Sequence, residues 1–168
     1  MPLVLGALAS SGVASKPHTP PADWAEPRLY HTPFEPGYGE RIRIERVAWQ
    51  QIDVRSISPN RAYRLAVEPV DRCDLESDGT LGCHSRDSNV NLLIDVERDY
   101  LLAVRLVDHY PNFQVATRWV NEKLLWMRVW WGRILGSDAV VDVESGEFVY
   151  REMVHDGVLD FQQHRQAE

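Results

Sequence analysis

The chain carries the phrase Asp-Val-Glu twice, at 95–97 within LIDVERDYL and at 142–144 within VVDVESGEFVY. Each copy stands between an apolar run and a second strand-like run, and internal repetition confines the fold to something built from two like units. A second phrase recurs as well. SPNRAYRLAV at 58–67 and VNEKLLWMRV at 120–129 both read as an Asn-bearing turn entering an apolar strand. Around the second copy, alternation and turn residues predict strands at 113–120, 123–131, 138–144 and 147–154, with tight turns at Asn121-Glu122 and Ser145-Gly146. Around the first copy they predict strands at about 46–54, 61–68, 90–97 and 100–107, with a Cys-bearing insertion between the second and third. The expectation is an all-β chain of two four-stranded antiparallel meanders, with repeat units at about 46–107 and 113–154 inside a single β domain at 37–157.

Four strands in a period of 40–50 residues is the pattern of propeller blades. The run D-x-E-S-G-E-F-V resembles the turn between the last two strands of a blade, and SPNRAYRLAV resembles the Ser-Pro-Asp-Gly start of many propeller repeats. Two blades do not close a ring. The resemblance therefore implies an open, propeller-blade-like pair of sheets, with residues 28–46 left to supply a partial third sheet.

The two ends read differently from this middle. Residues 1–15, MPLVLGALASSGVAS, hold no charge and match the apolar core and small-residue cleavage site of a secretory signal, although the basic start is missing. The Pro-rich stretch 16–36 reads as an extended linker, and 158–168 as a short helical tail. The formal net charge of −7 argues against a nucleic-acid or anionic-membrane partner and favours a basic one. Cysteine usage agrees with export. A three-residue loop, Ser77-Asp78-Gly79, sets Cys73 opposite Cys83 across a hairpin, where a disulfide closes naturally. Such bridges persist in an oxidising compartment, as export predicts.

In KLLWMRVWW alternate residues face opposite sides of the sheet. Lys123, Leu125, Met127, Val129 and Trp131 share one side; Leu124, Trp126, Arg128 and Trp130 share the other. Both sides are apolar, so the strand is expected to be central and covered on both faces. Arg128 between two indoles then needs a carboxylate, with Asp142 and Glu152 as candidates. The Trp126, Arg128 and Trp130 face is either a core network or an aromatic–Arg interface.

No catalytic motif is present, and no cofactor is expected. The six His are scattered, and the pairs Asp108-His109 and His155-Asp156 lack a nucleophile beside them. Asp74, Glu76 and Asp78 with Gly79 resemble the first half of an EF-hand calcium loop, but Ser85 stands where the bidentate Glu belongs. Two polar loops are better placed for recognition: the disulfide-pinned insertion 69–89 and the connection 108–112. They nominate Asp74, Glu76, Asp78, Ser85, Ser88, Asp108, His109, Tyr110 and Asn112 as partner-binding candidates.

A small, acidic, exported all-β chain with rigid loops and no catalytic residues resembles the periplasmic immunity proteins that protect bacteria from type VI secreted cell-wall amidases. The resemblance implies an inhibitor that inserts a loop into the cleft of one basic secreted peptidoglycan hydrolase. Ser85, Ser88 or His109 would then meet the hydrolase's catalytic residues. A different class remains open: an envelope assembly module that joins copies or other subunits through the tryptophan face or unpaired sheet edges. A calcium-dependent module or an enzyme stands third.

Overall fold

The computed structural model describes residues 29–157. The expectations for 1–15, for 16–28 of the Pro-rich stretch and for the tail 158–168 lie outside the described residues. In chain order the strands are β1 (Leu29–Pro33), β2 (Ile42–Ala48), β3 (Ser56–Ile57), β4 (Arg64–Glu68), β5 (Arg72–Leu75) and β6 (Leu81–His84). They continue with β7 (Val90–Asp95), β8 (Tyr100–Leu106), β9 (Gln114–Trp119), β10 (Leu124–Trp130), β11 (Leu135–Asp142) and β12 (Glu147–Asp156).

Both repeat units are meanders. Strands β9, β10, β11 and β12 pair antiparallel in chain order, and so do β3, β4, β7 and β8. The duplicated phrases are duplicated turn chemistry. Asp95 accepts the N–H of Glu97 at 3.0 Å and pairs with Arg64 of the adjacent strand at 2.7 Å. Asp142 accepts the N–H of Glu144 at 2.9 Å and pairs with Lys123 of its adjacent strand at 2.9 Å. Val96 and Val143 between them are buried. Likewise Asn60 accepts the N–H of Ala62, and Asn121 accepts those of Lys123 and Leu124. Asp and Asn hold such turns because a short side chain can bond the backbone two residues on.

Three expectations change. The first strand of the first unit is the two-residue β3, and 46–54 contributes only the end of β2, which lies on the opposite edge beside β8. The described residues of 28–46 form no third sheet: β2 extends one sheet beside β8, and β1 extends the other beside β12. Part of the Pro-rich linker is thus a strand, and Pro33 is tolerated at its end on a sheet edge. The turn at Asn121 spans three residues, because the N–H of Val120 bonds the carbonyl of Leu124.

The insertion decides the final shape. Its hairpin, β5–β6, leaves the first unit and pairs with β9 of the second. The result is a seven-stranded sheet, β1-β12-β11-β10-β9-β6-β5, and a five-stranded sheet, β2-β8-β7-β4-β3. Neither closes into a ring. Their facing sides share one core, with Leu65, Leu92, Ile94, Val104 and Leu106 from one sheet and Leu81, Leu125, Met127, Val141 and Met153 from the other. The outer side of the five-stranded sheet has a small cluster of Ala66, Leu93, Leu101 and Ala103, with Val47 and Ile52 packed on it.

Candidate functional site

Strand β10 alternates as its sequence predicts. Leu125, Met127 and Val129 are buried between the sheets, while Leu124, Trp126, Arg128 and Trp130 are half-buried on the outer side. The strand is central but covered on one face, not two. Arg128 finds its carboxylate in Asp138, directly opposite on β11. Its Nε and Nη2 donate to the two carboxylate oxygens, each at 2.6 Å. The earlier candidates are engaged elsewhere: Asp142 sits opposite Leu124 and holds Lys123, and Glu152 pairs with His31. Strand register chose the partner, since β11 places Asp138, not Asp142, across from Arg128. The Trp126 ring has two guanidinium groups near it, Arg128 at 5.3 Å and Arg118 of β9 at 5.7 Å. Trp130 meets Phe113 edge-on at 6.2 Å, and Phe113 meets Tyr110 at 4.9 Å.

The disulfide joins Cys73 and Cys83, which face one another in the register expected from the three-residue loop. Gly79 at φ 84° takes the left-handed position that closes this loop. Asp78 caps the turn by accepting the N–H of Thr80 at 2.9 Å, and it reaches Arg118 at 3.3 Å. The Thr80 contact first, and the Arg118 charge after it, hold the Asp78 carboxyl below its usual range. Asp74 instead lies beside Arg72, at 3.7 Å. Asp74, Glu76 and Asp78 are not part of the His31, Asp138 and Glu152 grouping of potential metal ligands found among the described residues.

An open groove of about 450 Å³ runs from this tip to the tryptophan face, lined by Glu76, Asp78, Thr80, Gln114, Arg118, Trp126, Arg128 and Trp130. Gln114 lies across Gly82 of β6, where any Cβ would collide with its amide. On the other side of the tip a second groove of about 460 Å³ is lined by Val54, Ile57, Leu75, Arg118 and Trp119, among others. Leu75 is 69% exposed, Ile57 44% and Val54 38%. The pinned loop and the tryptophan strand, separate candidates in the sequence, are therefore neighbouring parts of one surface, with Arg118 in both grooves.

The remaining candidates form a second cluster. The N–H of His109 bonds the carbonyl of Ser88, that of Asn112 bonds Ser85, and that of Tyr110 bonds Trp130. Asp108 and Asn112 adopt left-handed backbone, φ 57° and 66°, a region the short polar side chains tolerate. Ser85 and His109 are enclosed, 3% and 2% exposed, so this conformation presents neither to a partner. Neither ring nitrogen of His109 has a hydrogen-bond partner, and burial pushes its pKa down.

Sequence reasoning missed two features. Arg118 and Gln114 were legible as the outer alternation of β9, but nothing marked that face as important. The second is a grouping of His31, Asp138 and Glu152 on three adjacent strands, hidden because 29–33 reads as linker.

The molecule is thus a two-layer antiparallel β-sandwich with a disulfide-pinned hairpin at one sheet edge. Comparison with family models, with curated proteins and with solved structures finds no match to this chain. Among the described residues no helix is long and apolar enough to cross a membrane.

Proposed function

We propose that the chain is an exported, non-catalytic binding protein that takes one protein partner on the surface around the β5–β6 tip. In its specific form, the partner is a basic secreted peptidoglycan hydrolase, a cell-wall amidase, which the chain inhibits by inserting the pinned tip into the active-site cleft. One observation carries this reading: a rigid hairpin tip stands between two open grooves, with exposed Leu75 on one side and Trp126, Arg128 and Trp130 on the other. Exposed apolar anchors beside Trp and Arg are the composition of interface hot spots. A tip already fixed by a disulfide loses little entropy on docking. The acidic net charge of −7 favours encounter with a basic enzyme.

The test is inhibition of purified, basic, secreted cell-wall amidases by the full-length chain, with stoichiometry read by size exclusion. A one-to-one complex that blocks wall degradation is expected. Leu75→Asp and Trp126→Ala should each weaken it by about 2 kcal/mol or more, roughly thirtyfold in Kd. Inhibition undiminished by both substitutions would remove the tip surface from the interface. Self-association alone, without inhibition, would favour the assembly-module reading instead.

A further inference from the structure

We infer that the outer face of the seven-stranded sheet holds a divalent transition-metal site made by His31, Asp138 and Glu152. These residues come from β1, β11 and β12, and one ligand atom from each lies within 4.8 Å of the other two. The register explains the grouping. Asp138 sits opposite Glu152 across the β11–β12 ladder, and His31 is two residues from Pro33, which sits opposite Glu152 on the other side. All three side chains therefore meet on one face. The Nδ1 of His31 already contacts Oε1 of Glu152.

The donor set is one imidazole nitrogen and two carboxylate groups. Imidazole suits zinc, cobalt or nickel, whereas magnesium and calcium take all-oxygen sets. Asp138 is oriented from outside the triad, as metal-bound carboxylates usually are: Arg128 grips it with two bonds of 2.6 Å. The two carboxylates carry two negative charges against the one positive charge of Arg128, so the site favours a cation. Exposure separates the roles. Asp138 is nearly enclosed, with 7% of its side chain exposed, while His31 and Glu152 show 36% and 24% to solvent. Three protein ligands and an open side make a site whose remaining coordination positions fall to water.

The metal reading does not rest on the partner reading, although the two surfaces adjoin: Arg128, which grips Asp138, also lines the groove beside the β5–β6 tip. The probe is zinc or cobalt chloride added to the full-length, EDTA-stripped chain. One equivalent should bind, raise the melting temperature and, for cobalt, give visible d–d absorption. Binding should weaken at acid pH, because the imidazole ligates only when deprotonated. His31→Ala should abolish the cobalt bands, and Glu152→Gln should lower affinity roughly 10–100-fold. Asp138 is left intact in this test, since its loss would strand Arg128. His84→Ala, on the far hairpin, should bind as the parent does. Glu152→Gln is nearly isosteric and reports the site even if His31→Ala loosens β1. Absence of saturable binding at millimolar zinc, or binding and cobalt bands that survive both substitutions, would overturn the inference.

Discussion

His109 is buried at 2% exposure with both ring nitrogens unpartnered, beneath the joined loops 85–89 and 108–112. Desolvation lowers its pKa, and the charge of Asp87 only partly opposes this. The sign follows from linkage. A histidine whose folded pKa lies below its unfolded value of about 6.5 binds fewer protons in the folded state. Its contribution is therefore complete above about pH 6.5 and is lost as pH falls from there toward the folded pKa. Urea unfolding midpoints should decline between neutral and mildly acid pH, and His109→Gln should flatten that slope. A slope unchanged by the substitution would mean that other groups control it. The same residue illustrates a difference between pattern and place. The sequence marks His109 as a polar residue in a polar loop, but nothing local to DHYPN says that the imidazole turns inward.

At the scale of elements, the hairpin β5–β6 is the clearest unit. Among the described residues its outer strand, β5, pairs only with β6, so the Cys73–Cys83 bridge supplements a single ladder of hydrogen bonds. Closing a loop of this length contributes about 2–3 kcal/mol by restricting the unfolded chain. The double substitution Cys73→Ser with Cys83→Ser should lower unfolding stability by about that amount, measured by urea titration. It should weaken partner binding as well, because the tip is no longer fixed. The cysteine register was legible in advance, since a three-residue loop with Gly79 at its left-handed position admits only one pairing. The destination of the hairpin was not. Joining β9 instead of staying beside β4 is a long-range choice that leaves no local mark in RCDLESDGTLGCH.

For the molecule as a whole, two sheets share one core, and neither buries its apolar face without the other. Met127 lies fully buried at the centre of β10 and belongs to that common core. Met127→Ala should cost about 2–5 kcal/mol. The loss should appear as one cooperative transition, with fluorescence and far-UV circular dichroism coincident, because the sheets stand or fall together. Two separated transitions would show that the five-stranded sheet holds by itself.

The all-β class, the two meanders, the sharing of one side of β10 by Trp126, Arg128 and Trp130, and the disulfide pairing were determined by the sequence alone; that this side faces outward was not. Each depends on short-range rules: the period of two along a strand, side-chain capping of turns by Asp95, Asp142, Asn60 and Asn121, and loop length. Tertiary structure decided what those rules do not reach. Edge strands β1 and β2 join distant partners, the insertion crosses to the other sheet, and register selects Asp138 for Arg128. The gathering of His31 with Asp138 and Glu152 is of the same kind. These pairings join residues up to more than a hundred positions apart, and their free energy comes from burying whole faces together, which no local window of residues contains.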